Sequence, residues 1–211
     1  MSASGKASEC FSIGDTKPAT VNGVSTQAQI IGFNHDDLAD GSGKAGITFC
    51  TTELVANRNV DDDGFEMPFV NTEIFSWLNN TVYGGLDSQL KDVIKAVNKK
   101  TTRYHGSSTI RTDSMKLFLF SEIEVSGEHI DTAAGEGTHY SWFNSNSRRT
   151  KKYNKSNWSW WLRSPCYIEN HPNYRYWTWV DADGTTGNIV IGGADNSYPD
   201  WNAGVCVAFC V

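Results

Sequence analysis

Ser159-Trp160-Trp161-Leu162-Arg163-Ser164-Pro165 opens the last quarter of the chain, and Gly204-Val205-Cys206-Val207-Ala208-Phe209-Cys210-Val211 closes it. Both runs are strand-like anchors. Between them lies a segment rich in Asn, Asp, Tyr, Ser, Thr and Gly, and Lys155 is the last lysine of the protein. A polar, aromatic-laced segment between two such anchors has the composition of an interchangeable binding surface on a rigid frame. Tyr and Trp supply rigid contact area, while Ser, Gly and Asn supply adaptable hydrogen bonds. The pattern points to recognition, not catalysis.

Upstream, Asn22-Gly23 separates the alternating run Lys17–Val21 from Gln27–Phe33, a strong hairpin signal. Residues 34–43 form a polar loop and Ile47–Thr52 a further strand. Asn71 or Thr72 caps a helix running to about Tyr83, with Ile74, Phe75, Leu78 and Val82 at helical spacing. Gly84-Gly85 breaks it. Asp87 caps a second helix with Leu90, Val93, Ile94 and Val97 on one face and Lys99-Lys100 near its end. Met115–Phe120 reads as a strand and Ser121–Val125 as the start of a short helical turn. Residues 126–157 are polar and Gly/Ser/Asn-rich, which reads as an insertion loop. Helices in the middle and strands at both ends predict one α+β domain over residues 1–211.

The chain has 211 residues, 39% of them hydrophobic and 12% aromatic, enough to bury a real core. Its net charge of −6 argues against nucleic-acid binding, which shows a basic footprint. No apolar run is long enough to span a membrane, and the first residues do not form a signal peptide. Arg148-Arg149-Thr150-Lys151-Lys152-Tyr153-Asn154-Lys155 is the basic cluster and reads as a solvated loop. Asp36, Asp37 and Asp40, with Asp61-Asp62-Asp63, read as solvated loop acids, so no metal is expected. Five cysteines (Cys10, Cys50, Cys166, Cys206, Cys210) have no metal-like spacing and read as buried free thiols. The five histidines are scattered, and neither GxSxG nor a Gly-rich phosphate loop occurs. No catalytic residue, cofactor or enzyme activity is expected. Trp160 and Trp161 read as core, Trp177 and Trp179 as sharing one strand face, and Trp201 as exposed.

Four phrases carry a resemblance: residues Ile30–Asp40, Lys116–Val125, Gly135-Glu136-Gly137-Thr138-His139-Tyr140, and Trp160-Trp161-Leu162-Arg163-Ser164-Pro165. Together they look like an uncharacterised domain of gut-bacterial and prophage proteins. The C-terminal part also resembles the variable proteins of diversity-generating retroelements, which are similar to C-type lectins in fold. The resemblance implies an α+β, C-type lectin-like domain with two helices and a mixed, mainly antiparallel sheet. In that family a reverse transcriptase rewrites a C-terminal segment by altering template adenines. Changes at the first two positions of an Asn codon reach Tyr, Asp, Ser, Thr, His, Ile, Val and Gly, but not Trp, Glu, Lys, Gln or Met. Between Tyr167 and Ala203 the residues are mainly of the reachable set, with Glu169, Trp177, Trp179 and Trp201 as exceptions. The chain departs from the family's pattern at Cys206-Val207.

The resemblance implies a variable ligand-binding segment over residues 167–203. Its contact residues would be Tyr174, Tyr176, Thr178, Asp181, Asp183, Thr185, Asn188, Ile189, Ile191, Asp195, Asn196, Tyr198, Asp200, Trp201 and Asn202. The partner would be a variable protein or glycan ligand on a target surface, with no nucleic acid and no membrane insertion. Receptor recognition from a phage tail or a cell surface is the expected role, with homo-oligomers where the chain forms part of a tail fibre. Two alternatives are a fixed-specificity adhesion or structural domain of a prophage protein and an oxidase of the formylglycine-generating type. Against the oxidase, Cys206 and Cys210 have no partner base nearby in sequence. Glu169–Asn173 and Trp201-Asn202 resemble the calcium motifs of sugar-binding lectins. However, Pro does not directly follow Asn170, and Ala203 stands where an Asp is expected, so no calcium is expected.

Overall fold

The computed structural model of the protein describes residues 6–61, 67–129, 132–166, 175–186, 190–192 and 202–211, with the backbone alone at 175–176 and 190–192. A short helix α1 (Ala7–Cys10) leads into strands β1 (Thr16–Val21) and β2 (Val24–Phe33). These form the predicted hairpin, and Asn22 and Gly23 turn it with positive φ values of 52° and 74°. Two left-handed residues in sequence match the twist of the flanking strands, and Asn and Gly adopt that conformation at least cost. Strand β3 (Ile47–Thr51) pairs with β2 through a register shift between Ile30 and Gly32. Ile30 packs with Ala7 and Ile47 on one side while Ile31, its neighbour on the alternating strand, joins the main core on the other.

After β4 (Asn57–Arg58), the first expected helix begins at α2 (Glu73–Ser76) and continues through a π-helical turn, Trp77–Val82. Thr72 caps it by accepting from the Phe75 amide, and Ile74, Leu78 and Val82 are buried. The second, α3 (Ser88–Val93), starts at the predicted Asp87 cap but is shorter than expected. Ile94 leaves helical geometry, and Val97, Lys99 and Lys100 belong to strand β5 (Val97–Thr102), which pairs with β6 (Ile110–Met115). Val97, Lys99 and Thr101 point inward and alternate with exposed residues. A period of two therefore overrides the helical spacing of Val97 with Leu90 and Ile94.

Strand β7 (Leu117–Phe118) precedes α4 (Glu122–Ser126), whose capping box pairs Ser121 with Glu124. Residues 126–157, read as an insertion loop, hold elements of their own. They contain α5 (Asn146–Arg149), β8 (Lys151–Tyr153) and part of β9 (Ser156–Trp158). They also bury Glu136, Tyr140, Phe143 and Lys151. Tyr140 and Phe143 pack edge-on against Phe120 at 5.4 and 5.1 Å, so this polar stretch supplies part of the aromatic core.

The remaining strands are β10 (Trp160–Cys166), β11 (Arg175–Val180), β12 (Val190–Gly192), β13 (Ala203–Gly204) and β14 (Ala208–Cys210). One five-stranded sheet has the order β1-β2-β3-β14-β7 and a second has β12-β11-β10-β13-β4. All pairings are antiparallel except β10 with β13. The architecture is α+β and mainly antiparallel, with five short α-helical segments among the described residues where two were expected. None of these helices is long and apolar enough to cross a membrane.

Candidate functional site

Strand β10 is the axis of the second sheet and is buried along its whole length. Trp160 and Trp161 are 0% and 1% exposed, as expected for core residues, and their indole N–H groups donate to the carbonyls of Arg149 and Arg58 at 2.9 and 2.8 Å. The register opposes Cys166 to Tyr176 and Arg175 to Gly192. Cys166, Arg175 and Gly192 therefore lie at one end of the sheet. Trp160, Val180 and Gly204 lie at the other. The residues that flank 167–174 thus share an end with Gly192, which leads into 193–201.

Of the predicted contact residues, Tyr176 and Ile191 oppose each other in the β11–β12 register. Asn202 is exposed beside β13. Asp181, Asp183 and Thr185 close one tight turn. The Asp181 amide donates to the Thr185 carbonyl at 2.9 Å, and the Thr185 amide and hydroxyl both donate to Asp183 Oδ1, at 2.9 and 2.7 Å. Gly184 sits at φ 83°, and a Cβ there would lie 2.0 Å from the Asn146 carbonyl oxygen. Arg149 Nε donates to the Gly184 carbonyl at 2.9 Å, docking the turn on α5. Hydrogen bonds from Thr185 hold the Asp183 carboxyl below its ordinary pKa, while burial and then Asp183 push Asp181 up. Thr178 corrects the expected surface: it is buried, and its hydroxyl donates to the Ser164 carbonyl at 3.2 Å. Both faces of β11 are covered at this point, so alternation along the strand does not expose it. Tyr174, Asn188, Ile189, Asp195, Asn196, Tyr198, Asp200 and Trp201 lie outside the described residues.

Behind β10 lies a buried polar network centred on Arg163, which is fully buried. Its guanidinium clasps Glu124 with two bonds, at 2.6 and 3.1 Å. It also donates to Thr101 Oγ1 and to the carbonyls of Leu119 and Lys100, at 3.0, 2.7 and 2.8 Å. Lys99 Nζ bridges Glu124 and Asp36, each at 2.6 Å. Tyr140 and Thr48 donate hydroxyls to Asp36 Oδ2, both at 2.7 Å. Ser164 donates to Glu136, which also accepts the Thr102 amide at 2.5 Å. Two carboxylates and two cations thus neutralise one another, as charges removed from water require.

Burial pushes the Asp36 carboxyl up, but the Lys99 charge and the hydrogen bonds it receives outweigh that and hold it well below the usual value. Glu124 is likewise lowered: burial raises it, and Arg163 and then Lys99 bring it down. Glu136 goes the other way, because burial exceeds what Ser164 and Thr102 restore. Burial and the neighbouring carboxylates of Asp36 and Glu124 drive the Tyr140 phenol well up. In this state the network holds strands in place, with its ionised carboxylates paired and its phenol protonated.

A family model, described as a domain of unknown function, matches residues 45–211. The chain belongs to the DUF6273 family. No curated protein and no solved structure matches it. The DUF6273 match contains every network residue named above except Asp36, which residues 34–43 deliver from outside it.

The four phrases that carried the sequence resemblance meet in this network. Asp36 comes from the first, Glu124 from the second, Glu136 and Tyr140 from the third, and Arg163 and Ser164 from the fourth. Residue-by-residue reading missed Asp36, taken as a solvated acid, and Lys99, taken as a helix end. The Ser121-x-x-Glu124 capping-box spacing and the quoted phrases were the available signals. Asp37 and Asp40 are exposed as expected: Asp37 pairs with Lys44 at 2.9 Å and Asp40 accepts from Ser42. Asp61 accepts from the Glu73 amide, while Asp62 and Asp63 lie outside the described residues. In the basic run, Arg148, Lys152 and Lys155 are exposed, but Lys151 is buried and its ammonium donates to the Thr51 carbonyl at 2.7 Å. Cys50, Cys166, Cys206 and Cys210 are buried and in no disulfide, as expected, while Cys10 is exposed. Among the described residues no group of three or more His, Cys, Asp or Glu side chains is placed to hold a metal ion.

Proposed function

We propose that this DUF6273 protein is a ligand-binding protein with a diversified C-terminal surface, built on a C-type lectin-like frame. It serves receptor or host-surface recognition from a phage tail or a cell surface, and its partner is a protein or glycan. The observation that carries this reading is the contrast along β10 and β11. Trp160 to Ser164 are locked into the core and clamped by the Arg163 network. The flanks of the Asn-, Asp- and Tyr-rich segments, at Cys166, Arg175 and Gly192, share one end of the same sheet. A rigid strand pair that brings Cys166, Arg175 and Gly192 to one end suits non-covalent recognition by a few aromatic anchors ringed with polar contacts.

Deep sequencing of the coding locus and its flanks across a population of the source tests the proposal. Substitutions confined to adenine-derived codons within residues 167–203, with a near-identical invariant repeat nearby, are the expected result. A uniform segment without a repeat would overturn diversification.

One observation favours a second reading, a fixed-specificity adhesion or structural domain. Asp181, Asp183 and Thr185 are committed to a turn that docks on α5, and Thr178 to a buried hydrogen bond. Thr178, which is buried, and Gly184, where a Cβ would collide with the Asn146 carbonyl, tolerate few residue types. Under the diversified reading, variation should therefore avoid Thr178 and Gly184. Under the fixed reading, the whole segment should be invariant and a single ligand should be recovered from glycan and cell-surface arrays.

A further inference from the structure

Lys151 is buried at 4% exposure, yet among the described residues no carboxylate lies within ion-pair distance of its ammonium. Its neighbours are the Thr51 carbonyl at 2.7 Å, the Cys50 sulfur at 3.7 Å and the face of Trp160 at 5.9 Å. An ammonium taken out of water is costly unless an anion accompanies it. The groups beside it that can become anionic are thiols. Cys50 lies on β3 opposite Ala208, and Cys206 stands two residues before Ala208, next to Val207, whose carbonyl accepts from the Thr51 amide at 2.9 Å, so the two cysteines are diagonal neighbours across the antiparallel pairing. Both are fully buried. Cys206 Sγ accepts from the Thr51 hydroxyl at 4.0 Å and, as a thiol, donates at 3.7 Å to the same Thr51 carbonyl that Lys151 bonds.

We propose that Cys50, Cys206 and Lys151 form an oxidant-responsive cross-linking site in which a small hydroperoxide converts the two thiols into a disulfide between β3 and the residues that lead into β14. Lys151 stabilises the Cys206 thiolate by charge and takes no part in bond making. The thiolate attacks the outer oxygen of the hydroperoxide. The O–O bond breaks, Cys206 becomes a sulfenic acid, and hydroxide or alkoxide leaves. The Cys50 sulfur then displaces the sulfenic oxygen, the S–S bond forms, and the Cys50 proton leaves with that oxygen as water. The two thiols lose two electrons and the peroxide gains them. The electrostatics agree. Burial raises Cys206, but its hydrogen bond to Cys50 and the Lys151 charge outweigh that and bring it to about 7. Cys50, whose hydrogen bond with Cys206 and burial push it well up, stays protonated.

The test is hydrogen peroxide applied to the folded protein in native buffer, followed by denaturation, alkylation and peptide mapping. The expected product is a linked pair of peptides carrying Cys50 and Cys206, two hydrogens lighter than the reduced pair. Its formation rate should rise with pH through about 7. With Cys50→Ser, Cys206 should accumulate as a sulfenic acid that dimedone traps. Lys151→Met, checked for folding by circular dichroism, should slow oxidation at neutral pH roughly tenfold, the loss in thiolate fraction on returning Cys206 toward an ordinary thiol. The wild-type map decides alone if that variant does not fold. Exposed Cys10 consumed while Cys50 and Cys206 remain alkylatable, a bridge joining other cysteines, or an unchanged rate in folded Lys151→Met would each overturn the proposal.

Discussion

Glu124 and Asp183 are both carboxylates that accept at least two hydrogen bonds, and both lie in elements that support the β10–β11 pair. Glu124 is buried, at 1% exposure, among Arg163, Lys99 and the Ser121 cap. Asp183 is exposed at the tip of its turn, where solvent replaces any bond that is lost. The same functional group is therefore an obligatory partner in the interior and a replaceable one at the surface. Burial, not the number of hydrogen bonds, sets how much a substitution costs.

Arg163→Ala offers the hardest way to break this comparison. It leaves Glu124 buried without its bidentate partner, and urea unfolding should show a loss of about 3–5 kcal/mol. A loss below about 1 kcal/mol would mean that the network does not hold the frame. Trp160→Ala should cost about 3–5 kcal/mol by the same measurement, through the cavity left among Phe120, Phe143 and the surrounding core.

Acid should separate the two regions next. Asp36 and Glu124 have folded-state pKa values below their unfolded ones. Their stabilisation is present above the unfolded carboxylate range, about pH 4, and is lost as pH falls through the lower folded values. Glu136 has the opposite sign. Its raised value means a contribution present below about pH 4 that is lost as pH rises through its folded pKa. The melting temperature should thus rise as pH climbs to about 4 and fall above it as Glu136 ionises, and Glu136→Gln should remove that fall.

Thr178→Val tests the intermediate case, one buried hydroxyl without charge, and should cost about 1 kcal/mol. The smallest effects belong to the exposed set. Asn202→Ala should change stability by about 0.5 kcal/mol or less, and Asp183→Ala should leave the melting temperature unchanged. If either exposed substitution instead abolishes ligand binding with the fold intact, the comparison sharpens into a division between frame and surface.

What could be read from the chain was local. The Asn22-Gly23 hairpin, the cap at Thr72 (one of the two candidates, with Asn71), the Asp87 cap and the helical turn that starts at Ser121–Val125 each depend on neighbours within a few residues, and each forms. Trp160 and Trp161 were legible as core from size and from the run around them. Asp36 was not, because the partners that bury it stand 63 positions away at Lys99 and 104 away at Tyr140. Lys151 sits within a run of basic residues, and only the Thr51 carbonyl, 100 positions earlier, distinguishes it from solvated neighbours. Helical and strand periods coincide at Val97, and pairing with β6 decides between them. At the site itself, composition marked the segment but not the individual roles. Asp181, Asp183 and Thr185 are polar turn residues, and only three-dimensional contact reveals that they are occupied with one another.

Strand β14 occupies an inner position of the first sheet, between β3 and β7, and Val211 exchanges two backbone hydrogen bonds with Ile47. Thr48 and Cys210 meet across 162 positions. During synthesis, β3 therefore presents an unpaired edge until residues 208–211 emerge, an interval on the order of 10–30 s at typical elongation rates. An open edge of that kind is a template for pairing with other chains. Yield of soluble protein should consequently depend on how long nascent chains wait, so that slower growth, lower temperature or a chaperone that shields β3 improves recovery without altering the finished fold.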